Sequence, residues 1–325
     1  MEGIGVDMNV IDLQKLSNAM KENIEKVIIG KSDTITLIVT SLIANGHVLL
    51  EDVPGTGKTV LAKALAKTID ADFKRIQFTP DLLPSDITGL NYYNQKLGQF
   101  TFRSGPAFTN ILLADEINRA TPRTQSSLLE CMEEKQITID GETRSLEHPF
   151  LVIATQNPIE TAGTFPLPEA QLDRFLMQIS IGFPKVQEEI AILNRFILND
   201  PLQSLSSVCN KDELISMQNS IKSIYVHPAL MEYMIEIIHK TRTHKEIALG
   251  VSPRGSLALL RAVQAYSAIQ GFDYVTPETI QYIVPYVLSH RIILRGSFQK
   301  SESVSVIIQN ILQETPVPTE NFQRR

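Results

Sequence analysis

The stretch HVLLEDVPGTGKTVLAKALA, residues 47–66, decides the fold. It opens as a short apolar run from His47 to Leu50, breaks at a glycine-bearing turn, and resumes at Lys58 as an amphipathic helix. A strand, a glycine loop and a helix in that order form a cradle for phosphate. Gly55 and Gly57 let the loop wrap closely, and its N–H groups and the helix N-terminus face the anion. Lys58 reaches the outer phosphates, and the Thr59 hydroxyl is suited to Mg²⁺. The expected contacts are Asp52, Val53, Pro54, Gly55, Thr56, Gly57, Lys58, Thr59 and Val60. There is one departure, because the full pattern GxxxxGK[ST] requires glycine at position 52 and this chain has Asp52. A chance Gly-Lys-Thr in a turn is the bland alternative, and the flanking strand and helix argue against it.

Outward from the loop, short apolar runs recur at Lys74 to Phe78, Ile111 to Ala114, Phe150 to Thr155 and Leu176 to Ile181, mostly spaced widely enough to hold helices. This alternation predicts an α/β core, a mainly parallel sheet with helices on both faces. Residues 86–103 and 136–147 read instead as hairpins, the second turning at Asp140-Gly141. Before the loop, Ile11, Leu13, Leu16, Met20, Ile24, Val27 and Ile28 share a helical face that stops at Gly30, and a second helix is expected over Ser32 to Ile43. After Gly182-Phe183-Pro184 the strand pattern ends, and helices are expected over Glu188 to Leu198, Lys211 to Ser220, Pro228 to Thr243, Pro253 to Gln270 and Pro277 to Arg291. The expected organisation is a nucleotide-binding core over residues 1–184, a smaller all-α domain over 185–313, and a flexible tail over 314–325.

Composition narrows the class. With 325 residues and about 100 to 200 residues per domain, two domains fit, each large enough for a core. At 43% hydrophobic and 20% charged, a packed globular chain is expected. A net charge of -6 provides no general cationic field for nucleic acid or anionic lipid. Cys131 and Cys209 have no metal-ligand spacing and read as packed, reduced thiols, so a cytoplasmic location is expected. The N-terminus resembles no export signal, and the uncharged stretch Thr34 to Leu50 is too short and too polar to span a bilayer, so no membrane insertion is expected.

A second chemical signal is Ile111-Leu112-Leu113-Ala114-Asp115-Glu116, a buried strand delivering two acids at its C-terminal end, where open α/β sheets bind ligands. Asp115 would hold Mg²⁺ through water, and Glu116 would polarise a water for attack on a γ-phosphorus. A simple solvated turn is the other reading of the pair. Beside a phosphate loop, the chemical one gains.

These blocks, with LLADEINRATPRTQSSLLECMEE (112–134), ATQNPIETAGTFPLPEAQLDRF (154–175) and VSPRGSLALLRAVQA (251–265), resemble the AAA+ ATPases, and within them the MoxR family. The AAA+ resemblance implies a loop that commonly reduces to Pro-Gly-x-Gly-Lys-Thr, which makes Asp52 a milder departure. The resemblance implies an ATP- and Mg²⁺-dependent enzyme with a helical lid. It implies that Asn157 is the polar sensor holding the attacking water with Glu116, where an Asn before proline is otherwise a turn former. It implies that Arg174 is an arginine finger acting on the neighbouring subunit's γ-phosphate, the plain alternative being an ion pair with Glu169 or Asp173. It implies that Arg254 touches the phosphates of its own chain from the lid, the alternative being an exposed first-turn arginine. By analogy, Val27 to Gly30 line the adenine pocket.

A finger acting in trans implies a closed homo-oligomer, which the family builds as a hexameric ring. The hairpins resemble inserts that point toward the ring pore, with Tyr92, Tyr93 and Phe100 either contacting substrate or merely packing across strands. The implied function is remodelling of a protein client, with a von Willebrand factor A domain protein as partner. A nucleic-acid-stimulated ring motor is the alternative, disfavoured by the net charge and the acidic hairpin tip at Asp140 and Glu142. The cluster Arg291, Arg295, Lys300 lacks interleaved aromatics and is weak support for it. A small-molecule kinase shares the loop and the Mg²⁺ acid but not the lid with a trans arginine.

Overall fold

The computed structural model describes residues 8–51, 53, 55–157, 163–198, 201–296 and 301–323. The expected loop contacts Asp52 and Pro54, and Lys300 of the basic cluster, lie outside them. The chain begins with α1 (Val10–Glu25), capped by the Asn9 side chain, and α2 (Ser32–Ile43), which is buried from Thr34 to its end. Then come β1 (His47–Glu51), α3 (Lys58–Thr68), β2 (Phe73–Gln77) and the short α4 (Pro84–Thr88). β3 (Gly89–Asn94) and β4 (Gln99–Ser104) form the first hairpin. β5 (Ile111–Asp115), α5 (Pro122–Glu134) and the second hairpin, β6 (Gln136–Ile139) with β7 (Glu142–Ser145), follow. β8 (Leu151–Gln156), α6 (Glu169–Leu172) and β9 (Phe175–Ile179) complete the core.

Five strands make one sheet in the order β2-β5-β8-β1-β9, and every pairing is parallel. Side chains alternate across it as strand geometry requires. Val48 and Leu50 of β1, Ile111 and Leu113 of β5, and Leu151 and Ile153 of β8 enter one apolar cluster. Leu49, Leu112, Ala114, Val152 and Ala154 enter the other. The first cluster is closed by α1, α2 and α3, the second by α5 and the inner side of the second hairpin. The runs read from sequence as strands all join the sheet, and their near-continuous hydrophobicity reflects burial on both faces.

The second unit comprises α7 (Val186–Leu198), α8 (Lys211–Ser220), α9 (Pro228–Thr243), β10 (Ile247–Leu249), α10 (Pro253–Ile269), α11 (Pro277–Leu288), β11 (Ile293–Leu294) and α12 (Ser301–Glu314). Proline stands first in α9, α10 and α11 after His227, Ser252 and Thr276, each of whose side chains accepts a first-turn N–H. Two features go beyond the sequence reading. β10 and β11 pair antiparallel, adding a small ribbon to an otherwise helical unit. The segment expected as a flexible tail is anchored: Thr315 is buried and donates to the Ile311 carbonyl, while the Phe322 ring meets His227 edge-on at 5.9 Å.

The helical unit shares an apolar cluster with the core. α10 packs on α1 and α2, α11 packs on β9, and their buried side chains merge with those of β1 and β8. The lid therefore sits behind the N-terminal helices and along the β9 edge of the sheet.

His47 occupies the start of β1 as a packed residue. Its Nδ1 accepts from the Val152 N–H at 3.0 Å and its Nε2 lies 3.0 Å from the Met132 carbonyl, so the neutral ring donates there. A second ring proton would point at the Val152 N–H. Burial pushes this imidazole down to about 4, with Lys135 adding repulsion and the Met132 bond opposing it. A histidine depressed in the folded state leaves the unfolded state to take up protons first, so its contribution is lost as pH falls below about 6.5. His47 alone is expected to account for about 2 kcal/mol of the loss in unfolding free energy between pH 7 and pH 5. Denaturant melts of the native chain and His47→Gln at both pH values check this, and an equal loss in both would refute it.

Candidate nucleotide site

The phosphate loop leaves β1 at the C-terminal edge of the sheet and enters α3. Gly55 and Gly57 adopt φ +86° and +87°, the left-handed region open to glycine, and a Cβ at either would meet nothing within 4 Å. What holds these positions to glycine is backbone conformation. Gly57 caps α3 and offers no side-chain cap to its first turn. The N–H groups and dipole at such a helix start favour an anion.

The loop faces a cavity of about 400 Å³ lined by Gly55, Gly57, Lys58, Thr59, Val60, Arg75, Gln77, Asp115, Glu116, Thr155 and Asn157. The register explains the convergence. Gln77 pairs with Asp115 across β2 and β5, and Ala114 with Ala154 across β5 and β8, so the last residues of three strands meet at one edge. Thr155 ties the acids together: its hydroxyl donates to Asp115 at 2.6 Å and accepts from the Glu116 N–H at 2.8 Å. Glu116 has φ 56°, ψ 50°, a conformation costing a non-glycine residue on the order of 1–2 kcal/mol. Its carboxylate accepts from Gln77 at 2.7 Å and pairs with Arg119 at 3.1 Å. Arg75 bonds the outer oxygen of Asp115 at 2.7 Å.

The donors suit Mg²⁺ and a nucleoside triphosphate. Mg²⁺ is typically held by one or two carboxylates completed by phosphates, and Thr59 and Asp115 face the same cavity beside the open loop. Among the described residues no cluster of three or more His, Cys, Asp or Glu forms an all-protein metal cage. Gly30, expected by analogy at the adenine pocket, lies against Glu188 of α7 and does not line the phosphate cavity. Val53 accepts from the Thr56 hydroxyl at 3.4 Å and is likewise outside that lining.

The two expected arginines lie elsewhere, and together. Arg174 immediately precedes β9, at the N-terminal edge of the sheet, where Phe175 pairs with His47. From His47 to Glu51 the sheet spans about 13 Å at roughly 3.3 Å per residue, so Arg174 is at least that far from its own loop. Arg174 donates to the Leu129 carbonyl at 2.6 Å and pairs with Glu133 at 3.2 Å, neither of the partners weighed from sequence. Arg254 pairs with the other oxygen of the same Glu133. Arg254, expected to touch the phosphates of its own chain, does not line the phosphate cavity here. The lid packs on α1, α2 and β9, and that position carries the start of α10 to the sheet edge away from the loop. Both arginines line a cavity of about 330 Å³ that shares no residue with the phosphate cavity. Its charged lining is Lys135, Arg174, Arg254, Arg261 and Arg291 against Glu133 and Asp173, five cations to two anions.

Sequence reasoning missed Arg75, Gln77, Thr155, Glu133, Asp173 and Arg291. For Gln77 and Thr155 a signal existed, since they lie at strand ends on the edge where the loop lies. In the hairpins, Tyr93 and Phe100 pair across β3 and β4 with rings 5.5 Å apart, yet Tyr92, Tyr93 and Phe100 remain 42, 55 and 72% exposed.

A five-stranded parallel sheet with a phosphate loop after β1, paired acids after β5, a polar residue after β8 and a helical lid defines an AAA+ ATPase. Residues 47–177 match the ATPase family associated with various cellular activities (AAA), and residues 239–311 match the AAA lid domain. The chain is 49% identical to the Bacillus subtilis (strain 168) protein YeaC over 95% of this chain and 97% of that one. It is 37% identical to Chaperone MoxR1 of Mycobacterium tuberculosis, covering 98% and 86% of the two chains. A crystal structure from Cytophaga hutchinsonii superposes with a TM-score of 0.88 at 38% identity, covering 95% and 97%. The chain belongs to the MoxR family of AAA+ ATPases.

Thr155→Val keeps the shape of the side chain and removes both hydroxyl bonds. At about 1–3 kcal/mol for the groups left unpaired, kcat for ATP is expected to fall roughly 10- to 100-fold. Nucleotide affinity should stay within a few-fold. Steady-state kinetics and equilibrium nucleotide titration check this, and an unchanged kcat would show that the hydroxyl does not set the acids.

Proposed function

We propose that the chain hydrolyses ATP to ADP and phosphate in a head-to-tail ring, each active site completed by Arg174 and Arg254 of the neighbouring copy. The observation that carries this is the shared Glu133 pairing of the two arginines at the sheet edge opposite their own phosphate loop. A cation pair that cannot reach its own γ-phosphate is placed to serve another copy's. A contact between unlike faces closes into a ring when its rotation allows, and the family likeness favours six copies.

In this reading the loop N–H groups and Lys58 hold the β- and γ-phosphates. Asn157 and Glu116 hold a water in line, and Glu116 takes its proton as the water oxygen bonds to the γ-phosphorus and the bond to the ADP oxygen breaks. Mg²⁺, held by Thr59 and Asp115, would neutralise charge on the phosphate oxygens. Arg75 would give up its bond to Asp115 when the ion binds. Gln77 holds Glu116 aside until the γ-phosphate is present. The incoming arginines replace Glu133 with phosphate oxygens, so hydrolysis withdraws the charge they compensate and drives motion between copies.

The work is delivered to a protein client, in keeping with the chaperone name of the mycobacterial relative, and the family likeness points to a von Willebrand factor A domain partner. The exposed aromatics of the first hairpin suit client contact. A cytoplasmic setting is supported by Cys131 and Cys209, both free, buried and pushed up to about 12 by burial. Among the described residues no helix is long and apolar enough to cross a membrane.

Lys58→Ala is expected to abolish nucleotide binding and Glu116→Gln to bind ATP without turnover. Arg174→Ala and Arg254→Ala should each bind ATP normally and lose about 10³-fold in kcat. Mixing Lys58→Ala with Arg174→Ala protein should restore part of the turnover, because an intact loop of an Arg174→Ala copy then meets the intact arginine of a Lys58→Ala neighbour. Absence of recovery, or full turnover by Arg174→Ala alone, would reject the shared site.

A further inference from the structure

The shared-site reading leaves a third arginine unused. Arg291 ends the helical turn after α11, and its side chain is 2% exposed. A guanidinium is costly to bury unless its donors are all taken up, and these are. Nε donates to Asp173 Oδ1 at 2.7 Å. Nη2 donates to the carbonyls of Phe175 at 2.6 Å and Asp173 at 3.2 Å. Nη1 reaches the carbonyls of Leu176 and Val287, and His290 Nε2 at 2.8 Å. A lid residue thus grips the entry to β9 at Asp173, Phe175 and Leu176, the positions that flank Arg174.

The carboxylate it holds reaches a second element. Asp173 Oδ2 accepts from the Ser252 hydroxyl at 2.8 Å, and Ser252 caps α10, taking the Gly255 N–H at 3.3 Å. One carboxylate therefore joins the residue before Arg174 to the residue two before Arg254. Gly255 completes the fit: a Cβ there would lie 2.4 Å from Val251 and 3.0 Å from the Arg291 side chain. Arginine side chains are long and flexible, and presenting two of them to one phosphate requires their backbone origins to be fixed relative to each other.

We propose that Arg291 is a positioning residue that, through Asp173 and Ser252, locks lid to core and presents Arg174 and Arg254 as one unit to the neighbouring copy's nucleotide. The inference rests on the reading of those arginines as trans contacts. It makes the lid a determinant of the neighbour's turnover, with no contact of its own to ATP.

The test uses full-length protein in mixed assemblies. Copies carrying Lys58→Ala, with or without Arg291→Lys, are mixed with Arg174→Ala copies, so that the only working loops face the variant lid. Arg291→Lys keeps a cation but cannot satisfy the same acceptors, and it should lower the restored turnover at least tenfold. In a copy with an intact loop it should leave ATP affinity unchanged. In a background lacking both arginines, Arg174→Ala with Arg254→Ala, it should cost no more than twofold further in single-turnover rate, because a residue acting through those two has nothing left to position. An equal loss with and without the two arginines, or weakened ATP binding in the same copy, would overturn the proposal as a general structural effect, and undiminished turnover would overturn it directly. Should Arg291→Lys fail to fold, Ser252→Ala severs only the lid half of the link and is expected to cost several-fold in the mixed assay, with no loss refuting it. Failure of the shared-site reading is seen separately, as full turnover by Arg174→Ala alone.

Discussion

All five strands run the same way, and that polarity organises everything else in the molecule. A residue following a strand falls at one edge of the sheet and a residue preceding a strand at the other. The phosphate loop after β1, the acids ending β5 and the polar residues ending β8 are therefore neighbours, although about 100 residues of chain separate the first from the last. By the same rule Arg174, before β9, is held away from them. The parallel arrangement permits two chemically different edges on one rigid slab, one shaped for phosphate and one rich in arginine.

The charge distribution follows that division. A chain of net charge -6 carries a cavity whose lining sums to five cations against two anions, held at the edge opposite the phosphate loop. Glu133 compensates two of those arginines, and Asp173 compensates a third whose side chain is enclosed. Exposed pairs of this kind contribute little to stability, and the enclosed one carries a desolvation cost. Their placement is better understood as geometry: Glu133 gathers the arginines at one point, and Arg291 fixes the two elements from which they extend.

Much of this was legible in the sequence where the signal is local. The strand, loop and helix of residues 47–66 share one short segment whose periodicity and glycines state their own conformations, and the proline starts of α9, α10 and α11 mark their boundaries. The resemblance carried by residues 112–134, 154–175 and 251–265 drew attention to the paired acids and both arginines. Gln77 and Thr155 were missed because each looks like an ordinary polar residue ending a strand, and only the register brings them beside Glu116 and Asp115. Arg291 read as part of a surface basic cluster, since nothing in its neighbours shows that β9 closes over it.

What the sequence by itself determined is the set of elements and the chemistry each can offer, because helix periodicity, strand alternation, capping and glycine conformation act over a few residues. What only the tertiary structure decided is which chemistry shares a site. Arg254 went to Glu133 rather than to its own phosphate loop because the apolar faces of α10 and α11 are buried against α1, α2 and β9. That docking is a sum of many weak, non-directional contacts across distant parts of the chain, and no single motif encodes its direction.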